Sequence, residues 1–424
     1  MALRTTTAAR ALRAAARTSR ARAAAGLAAA AVGAPLLLAP AAAHAAAGPA
    51  WGTLDTQAAT AATEAAAGVG MAMFEFNWAA YEPAQGKFTA SYMTAMKAQL
   101  KAYQAAGMKV TLGLGLQFAP AWALALNNGT YIDQAGAAAP AAADLVFSAA
   151  VRNAAAAYLA KIAANMPLTQ FWAIRLGDAA GAGEMLYPGD GAYYAFTPSA
   201  LTGTGLPAGM TRNPDPSWKP GTPGLTPAQI TAWITWYVGG LDNLTGWEMT
   251  TLAGDGFTGY YQTLTPGSGT RPDQLTADEN ANLPDDGTTG VGAVWQLYYA
   301  NLPSKTDVIA YISSVADNSG GNDLCTAADN TQPLASPALD AWSATRWITR
   351  IANQDGLPVA GENPGLNLPA SLDTFYTNTS STGMMAAAIA QARSCGLAAF
   401  YWAHDIHLWD GTIPFTDYTT AIKG

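Results

Sequence analysis

The sequence is short of the residues that most often build metal and redox centres. It holds two cysteines and three histidines in 424 residues, which excludes a cysteine zinc cluster and a disulfide-dense scaffold. Only His404 and His407 follow position 45, too few for a three-histidine metal site, so neither a metal nor a cofactor is expected. Positive charge is scarce as well. Of 21 basic side chains, six arginines (Arg4, Arg10, Arg13, Arg17, Arg20 and Arg22) precede residue 45, and no acid precedes Asp55. The remainder carries 15 basic against 29 acidic side chains, a net of −14, the wrong sign for a nucleic-acid footprint. Beyond residue 45 no run approaches 18 uninterrupted apolar residues, so no membrane partner is expected there. A serine-hydrolase elbow of the form G-x-S-x-G is missing. Gly113-Leu114-Gly115 is only a fragment of a dinucleotide-binding fingerprint. What is abundant is apolar: 50% of residues are hydrophobic and 12% charged, which excludes disorder for most of the chain.

The first 45 residues differ from the rest. The arginines stand among Ala, Thr and Ser up to residue 24, a small apolar zone follows to residue 40, and Ala43-His44-Ala45 offers an A-x-A cleavage site. Basic, apolar and small-residue zones in that order predict a secretory signal peptide over 1–45, removed after Ala45, and hence an extracellular mature protein. No adjacent Arg-Arg pair supports a twin-arginine route. Residues 46–424 are expected to form one catalytic domain.

From residue 51 onward, short apolar runs alternate with longer amphipathic ones. Strands are predicted at Trp51–Asp55, Gly70–Trp78, Lys109–Leu116, Phe171–Gly177, Trp247–Leu252, Asp307–Val315, Leu357–Gly361 and Leu397–Ala403, with helices between them. Apolar strands separated by helices imply parallel crossovers. Eight such units over some 375 residues predict an α/β fold, a single (β/α)8 TIM barrel, with long loops on the C-terminal face where such barrels build their sites. The stretches 185–225 and 254–290, rich in Gly, Pro, Thr and Asp, read as those loops.

Two glutamates end strands that matter in such a barrel. Glu184 follows the predicted fourth strand within Arg175-Leu-Gly-Asp-Ala-Ala-Gly-Ala-Gly-Glu184-Met-Leu-Tyr187-Pro188, and Glu362 ends the seventh within Leu357-Pro-Val-Ala-Gly-Glu362-Asn-Pro364. Two carboxyl groups across a sugar suit glycoside hydrolysis: one, kept protonated, donates to the leaving oxygen, while the other attacks the anomeric carbon or activates water. The competing reading has both acids capping loops or pairing with Arg175.

The stretch Phe74-Glu-Phe-Asn-Trp78-Ala-Ala-Tyr81-Glu82-Pro83-Ala-Gln-Gly86-Lys-Phe88, with Pro120-Ala121-Trp122 beyond the next strand and Phe400-Tyr401-Trp402-Ala-His404-Asp405 near the end, resembles clan A glycoside hydrolases. It is nearest to the β-galactosidase-like family 42. That resemblance implies a retaining mechanism with Glu184 as acid/base and Glu362 as nucleophile. The clan usually has Asn before the acid, whereas Gly183 stands here. The Gly-x-Gly-Glu-x-x-Tyr-Pro string resembles instead the acid segment of β-amylases, inverting barrels that act on α-1,4-glucans. A non-catalytic carbohydrate-binding barrel and a transglycosylase remain alternatives.

Aromatic rings bury the C–H faces of sugars, and Trp78, Trp122, Tyr187, Trp402 and Trp409 fall at or beyond predicted strand ends. These five, with His404 and Asp405, are the expected contacts for a carbohydrate substrate. Trp172, Trp342 and Trp347 are assigned to the core. Asp317 and Asn318 could contact hydroxyls, Asp178 could tune Glu184 or cap its loop, and Glu75 could pair with Arg175 or touch ligand. Cys325 is expected on the top face and Cys395 on the bottom, which argues against a bridge between them.

Overall fold

The computed structural model describes residues 48–424, apart from 182, 190, 285–286, 318–322 and 368. The expected signal peptide lies outside the described residues, as does Asn318. Eight parallel strands close a barrel: β1 (Ala50–Thr53), β2 (Met71–Glu75), β3 (Lys109–Gly113), β4 (Ala173–Leu176), β5 (Tyr260–Thr265), β6 (Val308–Ile312), β7 (Val359–Glu362) and β8 (Ala399–Trp402). Each pairs with the next, and β8 returns to β1. Helices α1 (Ala61–Ala67), α2 (Ala90–Ala105), α3 (Ala149–Asn165), α4 (Pro227–Gly254), α5 (Trp295–Asn301), α6 (Ala344–Asp355), α7 (Met384–Ser394) and α8 (Phe415–Lys423) follow the strands in turn. This is the predicted (β/α)8 barrel. A two-stranded antiparallel hairpin, Thr130–Ile132 with Ala138–Ala143, stands between β3 and α3.

Strand side chains alternate between faces, and this sorts the core into two parts. Along β8, Ala399, Tyr401 and Ala403 fill the barrel with Met71, Met73, Leu264, Ile309, Tyr311 and Ala360. Phe400 and Trp402 face the helices instead, in a layer that includes the fully buried Trp233, Trp295 and Trp347. Trp342 is buried there too, and half-buried Trp172 packs on Tyr260. The helices start where the sequence supplies caps. Ser148 accepts from the Val151 amide, Ser343 from the Arg346 amide, and Thr226 forms a capping box with Gln229 ahead of Pro227, each satisfying a backbone donor that the first turn leaves unpaired.

Two expectations are corrected. Trp247–Leu252, read as the fifth strand, forms the last turns of α4, and β5 is Tyr260–Thr265. The hexapeptide mixes apolar residues with threonine, but a helical stripe of buried positions, 230, 233, 234, 237, 238, 241, 244, 245, 248, 249 and 252, runs through it, with 240 and 242 buried beside it. Strand β5 was hidden by Gln262, Thr263 and Thr265, polar residues that the structure buries completely. Secondly, Cys325 and Cys395 are disulfide-bonded, with Cα atoms 4.9 Å apart. The chain after β6 does not stay on the top face. Arg346 on α6 holds Asp323 and Asp329 at 2.6 and 2.7 Å, Arg350 donates to the Gln332 carbonyl, and Asn353 bonds Asn330. These contacts lay the segment along the outside of α6, toward the lower end of α7, where Cys395 waits. Among the described residues no helix is long and apolar enough to cross a membrane.

Candidate active site

The C-terminal end of the barrel opens into a cavity of about 1140 Å³. Its walls come from nearly every strand: Leu54 and Asp55 after β1, Met73 and Glu75 of β2, Gln117 and Phe118 after β3, Arg175 of β4, Glu184 beyond it, Ser313 and Ser314 after β6, Glu362 of β7, and His404 after β8. Glu184 and Glu362, some 180 residues apart in sequence, therefore line one space.

Glu362 is the last residue of β7, inward by alternation from Ala360. Its two oxygens have different donors: Arg175 Nη2 lies 3.2 Å from Oε1, and the Tyr311 hydroxyl donates to Oε2 at 2.6 Å. The pairing with Arg175 that the sequence offered as a competing reading is thus present, but inside the cavity. The guanidinium also lies 5.0 Å from the centre of the Tyr311 ring, so β4, β6 and β7 fix one another's side chains. Burial opposes the Arg175 charge, but Glu362, Tyr311, Glu75 and Asp55 around it hold its pKa above the ordinary value.

Glu184 is aimed by a folded-back loop. The Asp178 amide donates to the Glu184 carbonyl at 3.0 Å, and the Met185 amide donates to the Leu264 carbonyl on β5 at 2.8 Å. Two glycines permit this. A Cβ on Gly177 would lie 1.7 Å from the Gly183 carbonyl oxygen, and Gly183 has φ +78° with the Gln117 side chain only 2.8 Å from where its Cβ would be. Ser313 donates to Glu184 Oε1 at 2.7 Å. Burial raises the Glu184 pKa; the Ser313 bond and Arg175 pull the other way, and the Glu362 charge adds to the rise. Glu184 and Glu362 thus stand in one cavity with different hydrogen-bond partners, and burial of Glu184 favours its neutral form.

Four other titratable residues of the walls are Glu75, His404, Asp55 and Asp317. Burial likewise raises the pKa of Glu75, against the pull of Arg175 and a hydrogen bond with Gln117. His404 Nδ1 and Asp55 Oδ2 are 2.7 Å apart; that bond raises the histidine pKa and lowers that of the aspartate. Asp317 also lines the cavity.

The other sequence-predicted contacts do not line this cavity. Trp78 is fully buried, its Nε1 donating to Glu82 at 2.9 Å while its ring stacks on Tyr158. Trp122 donates to the Glu82 carbonyl and lines a separate surface groove with Phe88. Tyr187 is buried against Tyr237, ring centres 4.1 Å apart, with its hydroxyl on the Tyr237 carbonyl. Trp402 packs outward against Tyr376 and Tyr418. Asp405 is buried, accepting from the Gln57 amide and Trp409 Nε1, and Trp409 stacks on Phe415. Asp178 caps its own loop: Tyr131 and the Ala179 amide occupy its carboxylate.

The barrel has solved counterparts. The chain resembles the catalytic domain of a β-amylase from Paenibacillus polymyxa, with TM-score 0.61 and 13% identity over 89% of this chain and 99% of that one. It also resembles a β-galactosidase from the Antarctic haloarchaeon Halorubrum lacusprofundi, with TM-score 0.53 and 11% identity over 88% of this chain; the match spans 57% of that enzyme. No family model matches, and no curated protein matches in sequence. At these identities the similarity is one of fold.

Sequence reasoning missed Tyr311, Ser313, Gln117 and Asp55 as site residues. A signal for two of them was present. Tyr311 and Ser313 are two apart across the end of β6, so period-2 alternation sends both inward once Ile309 is known to face the barrel.

Proposed function

We propose that the protein is a glycoside hydrolase that uses Glu184 and Glu362 on an oligo- or polysaccharide. The observation that carries this reading is that the two carboxyl groups, from the β4 and β7 sides, share one cavity at the C-terminal end of the barrel, each with its own hydrogen-bond partner. In the retaining course, a Glu362 oxygen attacks the anomeric carbon as the glycosidic C–O bond breaks and Glu184 gives its proton to the leaving oxygen. Water then attacks the glycosyl-enzyme, losing a proton to Glu184 and restoring both groups.

A second reading is an inverting reaction on an α-1,4-glucan. The Gly-x-Gly-Glu-x-x-Tyr-Pro string around Glu184 favours it, as does a barrel that spans nearly the whole catalytic domain of a β-amylase. Here water attacks the anomeric carbon directly and gives its proton to Glu362, while Glu184 protonates the leaving oxygen. The signal-like zones of residues 1–45 support export of the enzyme to meet an extracellular glycan.

The test is a panel of aryl glycosides with maltohexaose, cellohexaose and galactohexaose, given to the parent enzyme, Glu184→Gln and Glu362→Gln. Proton NMR of the first product then reports its anomeric configuration. Full activity in either variant removes that residue from the chemistry. Tight sugar binding without any turnover by the parent enzyme identifies a binding module instead.

A further inference from the structure

The loop that carries Glu184 has few side chains to hold it. Between Gly177 and Glu184 the sequence reads Asp-Ala-Ala-Gly-Ala-Gly, so Asp178 is the one side chain there larger than a methyl group. Glycines leave a backbone free to take many paths, and such a segment keeps one path only if something fixes it. Asp178 is completely buried and lies outside the walls of the cavity. Its Oδ1 accepts from the Ala179 amide at 2.7 Å and its Oδ2 from the Tyr131 hydroxyl at 2.5 Å, while its own amide donates to the Glu184 carbonyl at 3.0 Å. Tyr131 comes from the first strand of the hairpin between β3 and α3 and is completely buried as well. Its ring stands edge-on to Tyr187 and Tyr194, with centres 5.8 and 6.3 Å away, and its hydroxyl accepts from the Val146 amide at 3.3 Å.

We propose that Tyr131 and Asp178 are positioning residues for Glu184, and that the hairpin is a brace that sets where the acid stands. The effect on rate rests on the two-glutamate reading above. Three hydrogen-bonding groups connect the hairpin to the acid in series: the Tyr131 hydroxyl, the Asp178 carboxyl with its own amide, and the Glu184 carbonyl. Without the hydroxyl, a completely buried carboxyl oxygen loses its side-chain donor. That is costly in a dry interior, and the glycines on either side let the loop move to relieve it. A displacement of about 1 Å at a reacting group can cost on the order of 10²-fold in rate. Sugar binding should be spared, because neither Tyr131 nor Asp178 lines the cavity.

Tyr131→Phe removes the hydroxyl and keeps the ring against Tyr187 and Tyr194. Two readouts are compared with the parent. The first is hydrogen exchange of the 177–187 backbone in the folded protein, followed by mass spectrometry and expected to quicken about tenfold or more. The second is the rate on two substrates: the oligosaccharide that the panel shows to be cleaved, and the dinitrophenyl glycoside of the same sugar, whose leaving group departs without a proton. On the oligosaccharide kcat is expected to fall about tenfold or more with KM unchanged. Release of dinitrophenolate in the first turnover is expected to match the parent. An equal loss on both substrates overturns the proposal, since a bond that serves only stability would act in that way. An unchanged kcat or unchanged exchange overturns it too.

If Tyr131→Phe does not fold, Asp178→Asn is read against the same outcomes; its amide keeps the size of the side chain but can accept from only one of the two donors. A parent in which 177–187 exchanges as fast as an unfolded chain overturns the brace without any variant. Exchange also separates this proposal from the reading it rests on. Full activity in Glu184→Gln overturns the two-glutamate chemistry, and exchange in Tyr131→Phe then decides the brace by itself.

Discussion

Glu184→Gln is the sharpest probe of the site, because it removes one proton and little else. The amide keeps the size of the side chain, and its oxygen can still accept from Ser313, which lies 2.7 Å from Oε1 in the parent. What is lost is proton donation, which contributes about 10²–10⁴ to rate, or roughly 3–5 kcal/mol of transition-state stabilisation. The loss must follow the leaving group. On a dinitrophenyl glycoside, whose phenolate leaves unaided, the variant is expected to approach the parent in bond cleavage. On an oligosaccharide the full loss is expected. The parent should also lose kcat/KM on an alkaline limb above the ordinary carboxyl range, because burial raises the Glu184 pKa; in the variant that limb should disappear. Stability supplies an independent check. A carboxyl whose folded pKa is raised favours the fold below its unfolded pKa and loses that contribution as pH rises through the folded value. Once the pH has risen past the folded value the amide replaces a buried charge, so the variant should then melt no lower than the parent. An equal loss on activated and unactivated substrates, or an alkaline limb that survives the substitution, refutes the assignment of Glu184 as acid.

Three other perturbations test the scaffold around it. Gly183→Ala forces a Cβ onto a backbone with φ +78° and against Gln117; a loss of about 1–2 kcal/mol in denaturant titration together with a lower kcat is expected, and an unchanged kcat contradicts the account of how Glu184 is aimed. Cys325→Ser opens a bridge that spans 70 residues, for which loop-closure entropy gives about 4 kcal/mol; treating the parent with a reductant should lower its stability to the same extent. Asp329, where Arg346 and Thr326 outweigh burial, has its pKa lowered to about 2. Its contribution is therefore present above the ordinary aspartate value and is lost as pH falls through about 2. Asp329→Asn should melt below the parent at pH 6, with the gap closing toward pH 2; a gap independent of pH shows that the ion pair is not its source.

How far the sequence could be read depended on which period governed each stretch. The barrel was legible because seven of its strands are short apolar runs between helices; Glu362 was legible because an acid at the end of such a run has little reason to be there for packing, and Glu184 because it sits in the glycine-rich loop that follows the fourth strand. The fifth strand was not, since Gln262 and Thr263 look like loop residues until the barrel interior is known to bury them. That the predicted aromatics do not line the cavity is partly a question of phase. Trp402 does end its strand, but it is one residue out of step with Tyr401 and Ala403, and alternation turns it toward Tyr376 and Tyr418. Trp78 and Tyr187 show that a ring beyond a strand end is equally useful for tying a loop to the body of the protein, here through Glu82 and Tyr237. The disulfide was missed because no local pattern reveals that the chain after β6 is drawn down the flank of α6 by Arg346.

The backbone bonds on either side of Glu184 have a consequence for how such an enzyme could be re-engineered. With its carbonyl tied to Asp178 and the next amide tied to β5, Glu184 is stitched to the sheet before the long excursion over residues 188–225 begins. A change made within that excursion that spares its buried side chains, among them Tyr193, Phe196 and Trp218, should therefore leave Glu184 where it is.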